Sequence, residues 1–262
     1  MSYNFSLTTF LKKGELGQIG NALAAVRKGH TSVGIRGKNT VVIATKISDE
    51  SALVDNDSLE HVAIICDNIG MVYSGLSPDF RVLVAKARKI AQEYKLDMGE
   101  YPPATILVKK IASVCQEFTQ MGGVRPFGVS ILIAGFDDGK PSLYQVDPSG
   151  LYFRWKATAI GKHYEKTKEF LERRQDALIP KYPSRVVKTI IHTEETTEAD
   201  DIGTIISALK ECSDGEVTEN SLSIGVLNFS PPNQNFNTST VPVPSFKRLS
   251  KSEIREHLAL LA

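Results

Sequence analysis

The sequence predicts an α+β fold in which two stacked antiparallel sheets carry helices on both outer faces. Strand-like runs come in two blocks whose members are joined by turns too short for a parallel crossover. The blocks alternate with pairs of helical segments, and one helix precedes them all. That order fits two stacked sheets covered by helices better than a βαβ parallel sheet. A length of 262 residues suffices for one large core or two modest domains, and no linker divides the halves, so a single domain over 1–262 is expected.

The first helix follows from Leu16, Ile19, Leu23 and Val26, which recur at helical spacing after Gly14-Glu15. The β-rich runs 31–36 and 40–46, then 61–66 and 69–74, are separated by Lys38-Asn39 and Asp67-Asn68, which supply the turns. Ser77-Pro78-Asp79 reads as a helix start, with a hydroxyl cap, a proline where its missing N–H costs nothing, and a carboxylate near the dipole's positive end. That helix keeps Phe80, Leu83, Ala87, Ile90 and Tyr94 on one face. Another begins after Pro102-Pro103, repeats Leu107, Ile111, Val114 and Phe118, and stops at Gly122-Gly123. Residues 127–136 are apolar at nearly every position, so this strand is expected to be buried on both faces. Asp137-Asp138-Gly139 turns it into 142–146, and Asp147-Pro148-Ser149-Gly150 turns that into one strand over 151–160. Helical character returns at 162–174 and 198–212, followed by a strand at 221–227 and a C-terminal helix carrying Ile254, Leu258 and Leu261. Two stretches break the pattern and read as surface insertions. Residues 175–197 hold Pro180 and Pro183 and switch from basic to acidic, and 229–245 hold Pro231, Pro232, Pro242 and Pro244 among Asn, Ser and Thr.

Composition excludes several classes of function. With Lys+Arg 31 against Asp+Glu 30 the net charge is +1, so no whole-chain field draws nucleic acid or an anionic membrane, and neither is expected as a partner. A hydrophobic content of 42% is too high for disorder, while the longest apolar run, 129–134, falls far short of a membrane span. Met1-Ser2-Tyr3-Asn4 opens no secretory signal. Cys66, Cys115 and Cys212 are widely spaced and odd in number, which argues against a disulfide framework and a cysteine zinc site. His30, His61, His163, His192 and His257 have no mutual ligand spacing, so no metal and no cofactor are expected. Gly17-Gln18-Ile19-Gly20 follows no strand and so makes no phosphate loop. Lys162-His163 with Glu165 reads as solvated helix charge. Lys86, Arg88 and Lys89 read as a solvated or intersubunit stripe, and Cys66 and Cys115 as inert core residues.

Several ordered segments carry a family resemblance. They are Ser6-Leu7-Thr8-Thr9-Phe10, Gln18-Ile19 with 22–26, Tyr73-Ser74-Gly75-Leu76 with 79–84, Gly122-Gly123-Val124-Arg125-Pro126-Phe127-Gly128, Asp147-Pro148-Ser149-Gly150 and Lys156-Ala157-Thr158-Ala159-Ile160-Gly161-Lys162. Together they resemble the alpha subunits of the 20S proteasome over nearly the whole chain apart from the two insertions. The resemblance implies a four-layer αββα sandwich of the N-terminal-nucleophile hydrolase type. It also implies a gate tail and helix over 1–29 and a sandwich core over 30–262. Alpha subunits form the outer rings of the barrel, their tails close its entry pore, and their extra helix lies across the sandwich end that is open in catalytic beta subunits. The implied partners are neighbouring alpha subunits, beta-ring subunits, the C-terminal tails of regulatory ATPases or other activators, and unfolded substrates in transit. The implied locations are cytoplasm and nucleus.

The same resemblance weighs against catalysis. A Thr nucleophile needs its own freed α-amine and nearby Asp and Lys partners. Thr8-Thr9 superficially matches the start of a mature catalytic subunit, but no Gly precedes Thr8. Laid on the catalytic pattern, the nucleophile position falls at or next to His30, the Asp position at Lys46 and the Lys position at His61. No catalytic residue is therefore assigned, and an active Thr hydrolase is the alternative, beside an adaptor that uses the insertions to bind partners. For the activator-tail pocket, Gly75 and Leu76 match the family's Gly-Leu element, and His61 replaces the lysine that pairs with the tail carboxylate. For the gate, Tyr3 matches the first Tyr of the family's cluster. Asn4, Lys12 and Asn21 stand where Asp, Pro and Tyr are usual, and Gly20 replaces a Glu.

Overall fold

A computed structural model describes residues 10–12, 14–47, 53, 59–178, 197–212, 215, 217–229 and 244–261. In chain order the elements are α1 (Gly17–Lys28), β1 (Ser32–Arg36), β2 (Thr40–Lys46), β3 (Val62–Cys66), β4 (Ile69–Gly75), α2 (Ser77–Met98), α3 (Ala104–Gln120), β5 (Val129–Asp137), β6 (Lys140–Val146), β7 (Tyr152–Trp155), β8 (Ala157–Ile160), α4 (Tyr164–Leu178), α5 (Glu198–Cys212), β9 (Leu222–Asn228), β10 (Ser245–Arg248) and α6 (Lys251–Ala259). One five-stranded sheet runs β10-β9-β2-β1-β8 and the other β3-β4-β5-β6-β7, and every pairing is antiparallel.

Three apolar clusters make four layers of these elements. Val41, Ile43, Leu132, Ala134 and Leu143 meet between the sheets. The alternate residues of the same strands point outward, Val42 and Ala44 to α4, α5 and α6, and Ile131 and Ile133 to α2 and α3. Because helices cover both outer faces, no face of a central strand meets water. Every residue of β5 is accordingly buried, as its unbroken apolar run predicts.

The structure departs from the sequence reading at four places. The expected single strand over 151–160 is two: β7 closes one sheet against β6, and after Lys156 the chain crosses to pair β8 with β1 in the other. The segment expected to be an insertion up to residue 245 ends in β10, whose Phe246 enters the inter-sheet core. Gly70 and Gly225 make room for its ring, since a Cβ there would lie 2.0 Å and 2.4 Å from it. Helix α4 continues through residue 178, into the region expected to be an insertion; the rest of that insertion, 179–196, and residues 230–243 lie outside the described residues. Finally, Ser77 is not a cap. The helix begins on it, Leu76 occupies the cap position without a side-chain bond, and Asp79 turns to another partner described below.

Candidate functional site

The site-bearing end of the sandwich is where β1 begins and β4 ends. Helix α1 lies against β4 and β5 there, and the buried Ser74 hydroxyl donates to the Val26 carbonyl at 3.0 Å, fixing the last turn of α1 to β4. The Lys162 N–H donates to Gly29 O at 3.0 Å, and the Thr31 hydroxyl donates to the Lys162 carbonyl. Ser32 donates to Tyr73 O at 2.6 Å, which ties β1 across to the facing sheet. The backbones approach too closely here for side chains. Gly161, at φ +93°, could not carry a Cβ, which would sit 2.1 Å from the His30 carbonyl.

The three positions that the family resemblance lays on the catalytic pattern fall near this end, and other residues stand in them. His30 leads into β1. Lys46 ends β2 and donates from Nζ to the Gly215 carbonyl at 3.0 Å. His61 precedes β3, and its ring meets His30 edge-to-face at 5.6 Å and lies parallel to Tyr73 at 6.3 Å. His61 is only 5% exposed, and among the described residues neither ring nitrogen has a hydrogen-bond partner. Burial foremost, then the neighbouring His30 and Arg248, lowers its pKa from 6.5 to about 4, so the imidazole is neutral at physiological pH.

A family model for proteasome subunits matches residues 26–227. The chain is 51% identical to the probable proteasome subunit alpha type-2 of Schizosaccharomyces pombe, over 98% of this chain and 97% of that protein. It is 47% identical to the alpha type-2 subunit of Oryza sativa subsp. japonica over 98% of this chain and 96% of that one. With the probable alpha type-2 subunit of Neurospora crassa the identity is 45%, over 99% and 98%. The chain belongs to the proteasome subunit family. Within the family it is of the alpha type and closely matches the alpha type-2 subunits.

As an alpha-type proteasome subunit it is structural and non-catalytic. The positions that the family resemblance assigns to the nucleophile, its Asp and its Lys hold His30, Lys46 and His61, so neither a hydroxyl nor a carboxylate stands where the catalytic pattern needs one, and a neutral imidazole stands in place of the lysine. Of the residues expected to form an activator-tail pocket, Gly75 and Leu76 end β4 and begin the turn into α2, at the same end as His61. Gly75 has φ +118°, and a Cβ would fall 2.2 Å from Gly128 O. Leu76 is 43% exposed, whereas His61 is enclosed. Of the residues expected at the gate, Lys12 lies exposed in the turn before α1, Gly20 and Asn21 lie on the exposed face of α1, and Tyr3 and Asn4 fall outside the described residues.

One interaction at this end is not signalled by sequence pattern. Asp79, in the first turn of α2, accepts from Arg125 Nη1 at 2.6 Å, from Nη2 at 2.8 Å and from the Gly128 N–H at 2.8 Å. This clasp binds the Gly-Gly-Val-Arg-Pro loop to the turn carrying Gly75 and Leu76. Burial alone would raise the Asp79 pKa, but the Arg125 bonds and the Gly128 N–H outweigh it and hold the group below 3.8. The spacing from 79 to 125 gives no clue to it, because the pair meets only once β4 and β5 are side by side. The basic stripe is likewise accounted for within the chain: Arg88 pairs with Glu60 at 2.6 Å, Lys89 lies 3.8 Å from Glu93, and Lys86 lies over the Phe118 ring. The buried Cys66 and Cys115 have thiol pKa values raised to about 11 and about 12, first of all by burial. His163 precedes α4 rather than lying on it.

Proposed function

We propose that this subunit builds the outer alpha ring of the 20S proteasome, in cytoplasm and nucleus, between neighbouring alpha subunits and against the beta ring. There it contributes to substrate-entry gating and activator docking for ubiquitin-dependent and ubiquitin-independent protein degradation. The observation that carries this reading is the position of α1, laid against β4 and β5 where a catalytic relative would need an open end, with His30 in the nucleophile's place. Native mass spectrometry of the chain purified from its source tests it. Co-migration in a particle of roughly 28 subunits is expected, with peptide hydrolysis by that particle unchanged in a His30→Ala variant. A chain that hydrolyses peptides alone, or loses activity with His30, would sink the proposal.

Activator docking at this subunit is expected to be weak. The family's lysine offers a charge to a tail carboxylate, whereas His61 is enclosed and neutral, which removes the charge-assisted part of the bond. A tail peptide should bind the assembled particle at this pocket more tightly after His61→Lys. Affinity indifferent to that change would contradict the docking role of position 61.

A further inference from the structure

A cavity of about 150 Å³ opens where α1 and α4 meet the ends of β5, β6 and β8. His61, Gly75 and Leu76 are not among its lining residues. At roughly 30 Å³ per water it has room for about five waters or one compact ion. Strand alternation decides what its floor is made of. Leu132 and Ala134 of β5 point between the sheets, so Ser130 does too, and in β6 Gln145 shares the face of Leu143. Both are polar where the rest of that face is apolar, and both line the cavity. Ser130 is only 2% exposed, and no side-chain hydrogen bond holds its hydroxyl among the described residues. Buried hydroxyls ordinarily have a partner. Gln145 accepts from Thr158 through its Oε1 at 3.2 Å, which leaves its NH2 group to donate.

Two cations close the cavity from the helices, Arg27 in the last turn of α1 and Lys168 in α4. Lys168 Nζ stands 4.6 Å from the Trp155 ring centroid and 5.7 Å from that of Tyr164. Burial lowers its pKa from the usual 10.5, with Glu172 pulling the other way. Arg27 lies beside the Tyr164 hydroxyl, which donates to Glu165 at 2.9 Å. Neither cation has a carboxylate within ion-pair distance among the described residues. The carboxylate in the wall, Asp147, is turned into its own loop. Its Oδ1 accepts from Ser149 N at 2.9 Å, from Ser149 Oγ at 2.6 Å and from Leu151 N at 3.1 Å. Donors from α1, α4, β5 and β6 thus converge on one space whose acid is engaged elsewhere. Leu23 and Val26 wall off part of it from water, which strengthens any charge-assisted bond made inside.

We propose that this cavity binds a tetrahedral oxyanion of the phosphate class, held by Arg27, Lys168, the Ser130 hydroxyl and the Gln145 amide. The bound ion is a shared counterion that fastens α1 to α4 over the facing sheet. The site shares no residue with the expected tail pocket and does not depend on activator docking.

Trp155 is the chain's single tryptophan, and Lys168 stands over its ring, so the site carries its own reporter. The test is a titration of the full chain with inorganic phosphate, and separately with glycerol phosphate, exchanged for chloride at constant ionic strength and followed by tryptophan emission and calorimetry. A saturable change in emission and a saturable heat are expected. Ser130→Ala should weaken binding about tenfold, the loss typical of one hydrogen bond to a charged group. It should keep the fold, because the hydroxyl it removes holds no other group among the described residues. Lys168→Gln should weaken the calorimetric binding at least as much and abolish the emission change. Lys89→Ala, on α2, should alter neither. Tighter binding of the ester would assign the site to the phosphoryl group of a small molecule, and tighter binding of inorganic phosphate to the free ion. A linear, non-saturating response, or an affinity that Ser130→Ala or Lys168→Gln leaves untouched, would overturn the proposal. A chain that failed to enter the 28-subunit particle would still give this titration, so the two readings fail separately.

Discussion

The enclosed His61 ring makes stability respond to pH at one residue. Its folded pKa of about 4 lies below the ordinary 6.5, so an unfolded chain takes up a proton in this window while the folded chain does not. Stability attributable to the neutral ring is thus complete above pH 6.5 and declines as the pH falls toward 4. The total loss is at most about 3.5 kcal/mol, from roughly 1.4 kcal/mol per pKa unit. Melting curves from pH 7 to pH 4 should be flatter for His61→Phe than for the native chain. Gly75 has no such latitude, because a methyl group at φ +118° would strike Gly128 O. Gly75→Ala is expected to cost on the order of 3 kcal/mol, read as a lowered melting temperature. The buried, high-pKa thiols of Cys66 and Cys115 should resist N-ethylmaleimide in native buffer and react only after denaturant is added.

At the scale of elements, the Asp79 clasp joins the first turn of α2 to the loop before β5. Arg125→Ala should destabilise by about 1 to 2 kcal/mol, a figure kept low because the Arg125 side chain is 58% exposed and partly screened. Because Asp79 titrates below its usual 3.8, that contribution should persist at neutral pH and disappear only as acid protonates the carboxylate, which denaturant titrations of native and Arg125→Ala chains at pH 7 and pH 2.5 would resolve. The elements differ in how far they can be read from sequence. Central strands are legible because burial on both faces leaves an unbroken apolar run, as in β5. The crossing at Lys156 is hidden because no glycine, proline or turn residue marks it: the strand simply changes partners between Trp155 and Ala157. Strand β10 is hidden because only Phe246 of its four residues is buried, too little for any alternation to register. At the site, the positions of His30, Lys46 and His61 follow from laying the strands on the pattern of the resembled family, but the enclosure of His61 cannot be read from sequence, since it depends on Tyr73 and His30 arriving from other segments.

The whole molecule presents apolar surface that a solitary chain would not need. Leu151 and Phe153, by the edge strand β7, are 51% and 53% exposed, and Leu96 and Met98 at the end of α2 are 85% and 65% exposed. In a ring subunit such surface meets neighbours, and Phe153→Glu is expected to reduce recovery in the high-mass particle on native gels while leaving the isolated chain's circular dichroism unchanged. The strand order β10-β9-β2-β1-β8 has a further consequence for synthesis. Its centre, β1 and β2, leaves the ribosome first, yet the strands that cover its two flanks begin only at Ala157 and Leu222. Through most of translation that hairpin must wait with both edges bare, a template for pairing with any other nascent chain. The layered architecture thus makes newly made subunits a client for protection until their last strands emerge.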